Sequence, residues 1–232
     1  DEEDVARKLI EVLKELLKLV EDLIRTNIRV LEESLELHRR LIEEIEKVLK
    51  RILELLEEGR REELERVARE LLKELDRVHE ELKRVHEEVI RDTDRVLKEI
   101  EEVVRRVLKE LREEVRIEEK LRDMERILRK ILEDIRRLVK RLKKLHEDHY
   151  RTNEEVLRET KKILKRTLEL VRSGTDREEL AKEVKRVIEE LKKLARESAE
   201  ESKRIIRTIE ELLREARKRA REVIEELKER TR

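Results

Sequence analysis

Glu110-Leu-Arg-Glu-Glu-Val-Arg-Ile-Glu-Glu-Lys-Leu121 lies at the centre of a 232-residue chain and decides what the rest of it builds. The stretch has no Gly, Pro, Asn, Ser or Asp, so nothing local breaks a helix here. The apolar phase slips nevertheless, because Leu111 and Leu121 do not fall on one helical stripe. Two connectivities satisfy it. In one, the chain turns tightly near residue 115 and the flanking segments fold back as neighbours. In the other they run on as one rod of about 112 residues, roughly 170 Å at 1.5 Å per residue. The rod would leave apolar faces that need a second copy of the chain.

Outward from this stretch the chain is amphipathic. Segment one, 1–57, places Val5, Leu9, Val12, Leu16, Leu19, Leu23, Thr26, Val30, Ser34, Leu37, Leu41, Ile45, Val48, Ile52 and Leu55 on one seam. The spacing, about 3.6 residues per step, is that of a nearly straight helix. A second stripe beside it (Ile10, Leu13, Leu17, Val20, Ile24, Asn27, Leu31, Leu35, His38, Ile42) widens the face. A wide face suits a helix with two neighbours. Gly59 supplies a helix-ending position, and segment two, 60–115, repeats the pattern from Leu64 to Leu111. Segment three, 116–172, stops at Ser173-Gly174, and Thr175-Asp-Arg-Glu178 predicts a capping box for segment four, 175–231. The expectation is an all-α, long antiparallel four-helix bundle, coiled-coil-like, made of two helical hairpins, 1–115 and 116–232. At 57 residues per helix it would be about 85 Å long.

Charged residues make up 54% of the chain, and Pro, Cys, Trp and Phe are absent. The periodic aliphatics exclude the disordered reading that such charge would otherwise suggest. The net charge of zero hides an asymmetry: residues 1–115 carry 35 acidic and 26 basic groups, residues 116–232 carry 28 and 37. Two complementary halves, attracting each other or a second copy, explain that balance. The basic half lacks aromatic stacking residues, so no nucleic-acid partner is expected. No targeting signal and no apolar run of membrane length occur, so the chain is expected to be soluble with no membrane partner.

The local specialisation is a belt of polar residues inside the apolar seams. It comprises Thr26, Asn27, Ser34 and His38; His79, His86 and Thr93; His146, His149, Thr152, Asn153 and Thr160; and Ser198 and Ser202. Helix four turns small at this level (Ala195, Ser198, Ala199, Ser202), opposite the bulky His146, His149 and Tyr150. Buried polar groups must be paired, so a belt of them penalises mispaired helices and sets register and partner choice. If the histidines are buried as neutral partners, their folded pKa falls below the roughly 6.5 of free imidazole.

Metal or haem ligation is the alternative, since His146 and His149 are three residues apart. A di-iron bundle, however, needs Glu-x-x-His on two helices. Here Lys143 precedes His146, Lys83 precedes His86, Leu35 precedes His38, and only Asp76 precedes His79 suitably. No cofactor or metal is therefore expected. With no nucleophile elbow or Gly-rich loop, neither catalysis nor a small-molecule substrate is expected.

Glu-Glu-Leu-Lys-Arg runs such as Glu80–Arg84, segments of matched length and minimal loops such as Arg172-Ser-Gly-Thr-Asp176 extend over the whole chain, which also lacks Gln. In these features it resembles computationally designed helical bundles with buried hydrogen-bond networks, including designed helical-hairpin heterodimers. That resemblance implies a scaffold or orthogonal binding role with no natural substrate.

Overall fold

The computed structural model describes residues 2–174 and 176–230, apart from the side chains of residues 2, 3, 195 and 230. It contains α1 (Glu2–Glu57), α2 (Arg61–Glu114), α3 (Glu118–Arg172) and α4 (Arg177–Arg230). The fold is an all-α antiparallel four-helix bundle of two hairpins, α1–α2 and α3–α4. No helix is long and apolar enough to cross a membrane, among the described residues.

Gly59 closes α1 at φ +73°, with Arg60 N–H donating to Leu55 O (3.0 Å) and Gly59 N–H to Leu56 O (3.1 Å). This double bond pattern is the Schellman ending, which needs a left-handed residue. Gly174, also left-handed at φ +72°, stands just past the end of α3, its N–H meeting Val171 O at 3.4 Å. Thr175, the first residue of the expected capping box, lies outside the described residues, as do Asp1, Arg232 and the side chain of Ala195. At the start of α4, Asp176 O accepts from Leu180 N–H at 3.0 Å.

The central stretch turns. Val115, Arg116 and Ile117 lie outside both helices, and among the described residues no non-glycine residue adopts a positive φ. Val115 N–H donates to Leu111 O (2.9 Å) and Ile117 O accepts from Leu121 N–H (3.1 Å). The connection therefore needs no left-handed residue, which is why no Gly or Asn marks it. The continuous-rod alternative is not what this chain adopts. The phase slip between Leu111 and Leu121 lets the α3 stripe face back onto α2.

By compactness the chain divides into two units that cut across the hairpins. A long helix packs only against what lies alongside it, so its length is shared between units. The first unit takes the chain up to Val30, Glu88–His146 and Ile206 onward. Within it α2 and α3 run antiparallel, ion pairs joining Arg112 to Glu125 (2.8 Å), Arg136 to Glu101 (3.2 Å) and Lys143 to Asp94. The two residue numbers of each pair add to one total, as a fixed register requires. Lys8–Glu114 (3.0 Å) joins α1 to α2, Arg217–Glu21 (2.8 Å) joins α4 to α1, and Arg219–Asp134 (3.2 Å) joins α4 to α3. Its core includes Leu9, Leu16, Ile24, Ile100, Leu128 and Leu142, all essentially inaccessible.

The second unit takes Leu31–Glu87 and Glu147–Ile205. Its core is one apolar cluster drawn from all four helices, including Leu49, Leu64, Leu75, Leu164 and Val184. Burying each such side chain contributes about 1.5–3 kcal/mol. Lys161–Asp76 (2.5 Å) and Arg172–Glu65 (3.5 Å) hold α3 to α2, and Lys192–Glu46 (3.3 Å) holds α4 to α1.

Candidate functional site

The second unit contains a polar cluster built by a simple rule: three helices each present two polar groups one turn apart. These are Ser34 and His38 on α1, His149 and Asn153 on α3, and Ser198 and Ser202 on α4. Residues four apart share a helix face, and each pair falls on the inward stripe. His149 lies at the centre. Its Nε2 accepts from Asn153 Nδ2 (3.1 Å) and lies 3.0 Å from Ser34 Oγ, and its Nδ1 lies 3.0 Å from Ser202 Oγ. Ser198 Oγ donates to Asn153 Oδ1 at 3.4 Å. Because the Asn153 amide donates to Nε2, the neutral ring carries its proton on Nδ1 and donates it to Ser202. One imidazole thus ties α1, α3 and α4 together.

Burial holds His149 down at about 4, with His38 and His86 adding repulsion to the imidazolium. His38, 3% exposed, is also held at about 4 by burial alone. Neither of its ring nitrogens has a hydrogen-bond partner. Sequence reasoning expected His38 as a network member; it is buried but unpaired.

The α2 histidines are only half-buried. His86 stacks on Tyr150, with ring centroids 4.6 Å apart and planes 11° from parallel. Burial lowers its pKa, opposed by Glu147 and Glu87. His79 lies 3.6 Å from Glu154. Glu154 also accepts from the Tyr150 hydroxyl, which burial and this bond push up to about 12, and from Arg158 at 2.7 Å. Tyr150 and Glu154, one turn apart, thus form a second polar contact that sequence reading missed.

The first unit holds a separate pair. His146 Nε2 donates to Asn27 Oδ1, while Asn27 Nδ2 donates to Leu23 O at 2.7 Å. His146 therefore carries its proton on Nε2, the opposite tautomer to His149. Thr93 is buried in the same unit.

Three of the belt's threonines bond within their own helix. Thr26, Thr152 and Thr160 each donate to the carbonyl four residues back, at 2.8, 2.9 and 2.7 Å. A helical hydroxyl finds that carbonyl before it finds another helix. Thr26 is moreover exposed, correcting its placement in the seam, since the step from Leu23 to the core is taken by Asn27. Thr167, which sequence reading did not single out, is buried and bonds in the same way to Ile163 O at 3.0 Å. Among the described residues no three His, Cys, Asp or Glu are grouped so as to hold a metal ion.

No protein-family model matches the chain, and no curated protein matches it. Among solved structures it is similar to one described as a computationally designed three helix bundle. The two share 18% identity over 93% of this chain and 91% of that chain, with a TM-score of 0.42.

Proposed function

We propose that the chain is a structural scaffold and helix-association module in which the polar cluster sets register and the choice of partner helix. The observation that carries this reading is His149, whose two ring nitrogens meet α1, α3 and α4 at once. Sliding one helix past another would strand several buried polar groups, each at a cost of about 1–3 kcal/mol. An all-aliphatic seam has no such penalty. Charge supports the same reading. Between the 1–115 and 116–232 hairpins the acid of an ion pair mostly belongs to the first and the base to the second, as in Lys161–Asp76, Lys192–Glu46 and Arg217–Glu21. The reading is not enzymatic because His149 and Ser202, though at hydrogen-bond distance, are both buried beneath the helices.

Cysteine cross-linking tests it, since the chain has no native Cys. Glu46→Cys with Lys192→Cys reports the native register, and Glu46→Cys with Lys185→Cys or Ala199→Cys reports slipped ones. With the cluster intact only the native pair should oxidise rapidly. In a His149→Leu, Asn153→Leu, Ser198→Ala, Ser202→Ala background the slipped pairs should form as well. Exclusive native cross-linking in that background would refute the assignment.

A further inference from the structure

The unit formed by the chain up to Val30, 88–146 and 206 onward holds a cavity of about 270 Å³ bordered by α1, α3 and α4. No member of the polar cluster lines it. The cause lies in α4, whose inward stripe runs Ile205, Ile209, Leu212 and then Ala216 and Ala220 before Val223. Two methyl groups stand where the rest of the stripe has branched aliphatics, and Leu16 and Ile135 opposite them do not close the gap. Volume lost by such truncation is only partly recovered by relaxation. An apolar cavity of ~150 Å³ suffices for benzene, so this one has room for a molecule of roughly ten carbons.

The rim is charged and asymmetric. Arg219 and Asp134 neutralise each other at 3.2 Å. Arg137 and Arg141, one turn apart on the exposed side of α3, have no ion-pair partner among the described residues. Glu215 is the rim's other acid. Two guanidiniums a turn apart beside an apolar slot match a carboxylate on an alkyl chain, because such forks bind carboxylates with paired hydrogen bonds. We propose that this cavity binds a medium-chain carboxylate, its tail lying between Leu16, Ile135 and the two alanines and its head on Arg137 and Arg141. A neutral hydrocarbon would fill the slot but leave both guanidiniums as they are.

Isothermal titration of the full chain with decanoate, and with 1-decanol as the uncharged control, tests this. One decanoate should bind per chain. Ala216→Leu, which occupies the slot, should weaken it by about tenfold or more, and Arg137→Gln with Arg141→Gln by a similar factor. Glu215→Gln, which removes the opposing charge, should strengthen it. Decanol binding should respond to Ala216→Leu and not to the arginine changes. Should Ala216→Leu unfold the chain, Ala220→Val fills the same space more gently and is read instead. The proposal is overturned by absence of decanoate binding or by affinity unchanged in the filled variants. Equal loss of decanoate and decanol in the arginine variants would overturn it too.

Discussion

His38 and His149 respond to pH in a way that their surroundings determine. Both are held at about 4 in the folded chain, against roughly 6.5 for a free imidazole. Above pH 6.5 the rings are neutral folded and unfolded, and stability is complete. As pH falls from 6.5 toward 4 the unfolded chain takes up protons that the folded chain refuses, so stability is lost across that window. The gap is worth about 3 kcal/mol per ring. Thermal midpoints from pH 7.5 to 4.5 should fall, and a double His38→Leu, His149→Leu variant should fall much less; parallel curves would contradict this. The two single variants should diverge at pH 7.5. His38→Leu removes an unpaired buried ring and should stabilise by about 1–3 kcal/mol, or about 2–4 °C per kcal/mol in a chain of this size. His149→Leu strands Asn153, Ser34 and Ser202 and should destabilise by about 2 kcal/mol or more. Sequence showed that polar residues interrupt the seams, although it placed exposed Thr26 among them and passed over buried Thr167. It could not show which of them are paired, since a shift of one residue separates exposed Thr26 from buried Asn27, and hydroxyls satisfy themselves within their own helix.

At the scale of the element, two of the three turns were legible because each requires a left-handed residue. Gly59 and Gly174 at positive φ are that requirement made visible. Replacing either with Ala should cost about 1–2 kcal/mol from the left-handed conformation. A Cβ at Gly174 would meet nothing, and one at Gly59 would meet only the movable end of Arg177. The two losses should therefore be nearly equal in denaturant titration, and a much larger loss for Gly59→Ala would mean that Arg177 cannot move. The turn at Val115–Ile117 had no such signature, since its backbone stays in ordinary conformations. Its outward trace is Ile117, 50% exposed, an apolar residue left on the surface where the phase changes. Arg116→Gly should accordingly bring no relief of strain. It should destabilise slightly, by about 0.5–1 kcal/mol, through greater freedom of the unfolded chain.

For the whole molecule, the same three residues decide whether the apolar faces are covered by the chain itself. The connection from Glu114 to Glu118 is near the lower limit for an antiparallel helix pair, which needs a loop of about 2–5 residues. Deleting residues 115–117 removes the turn and joins two strongly helical segments with nothing between them to break the helix. The rod that the sequence also permits then becomes the accessible state, and each hairpin's wide apolar face must find its counterpart on another copy. Exchange of identical elements through a shortened hinge is a low-cost route to a dimer. Every ion pair between α2 and α3, such as Arg136–Glu101, can re-form with the partner, because the exchange preserves its geometry. Light scattering on the deletion variant should therefore give twice the 28.5 kDa of one chain, and on the parent a single chain mass. A deletion variant that keeps one chain mass and full helicity would mean that the ends of α2 and α3 unwind to rebuild the turn. A parent of doubled mass would mean that closure within one chain leaves a further face for a second copy.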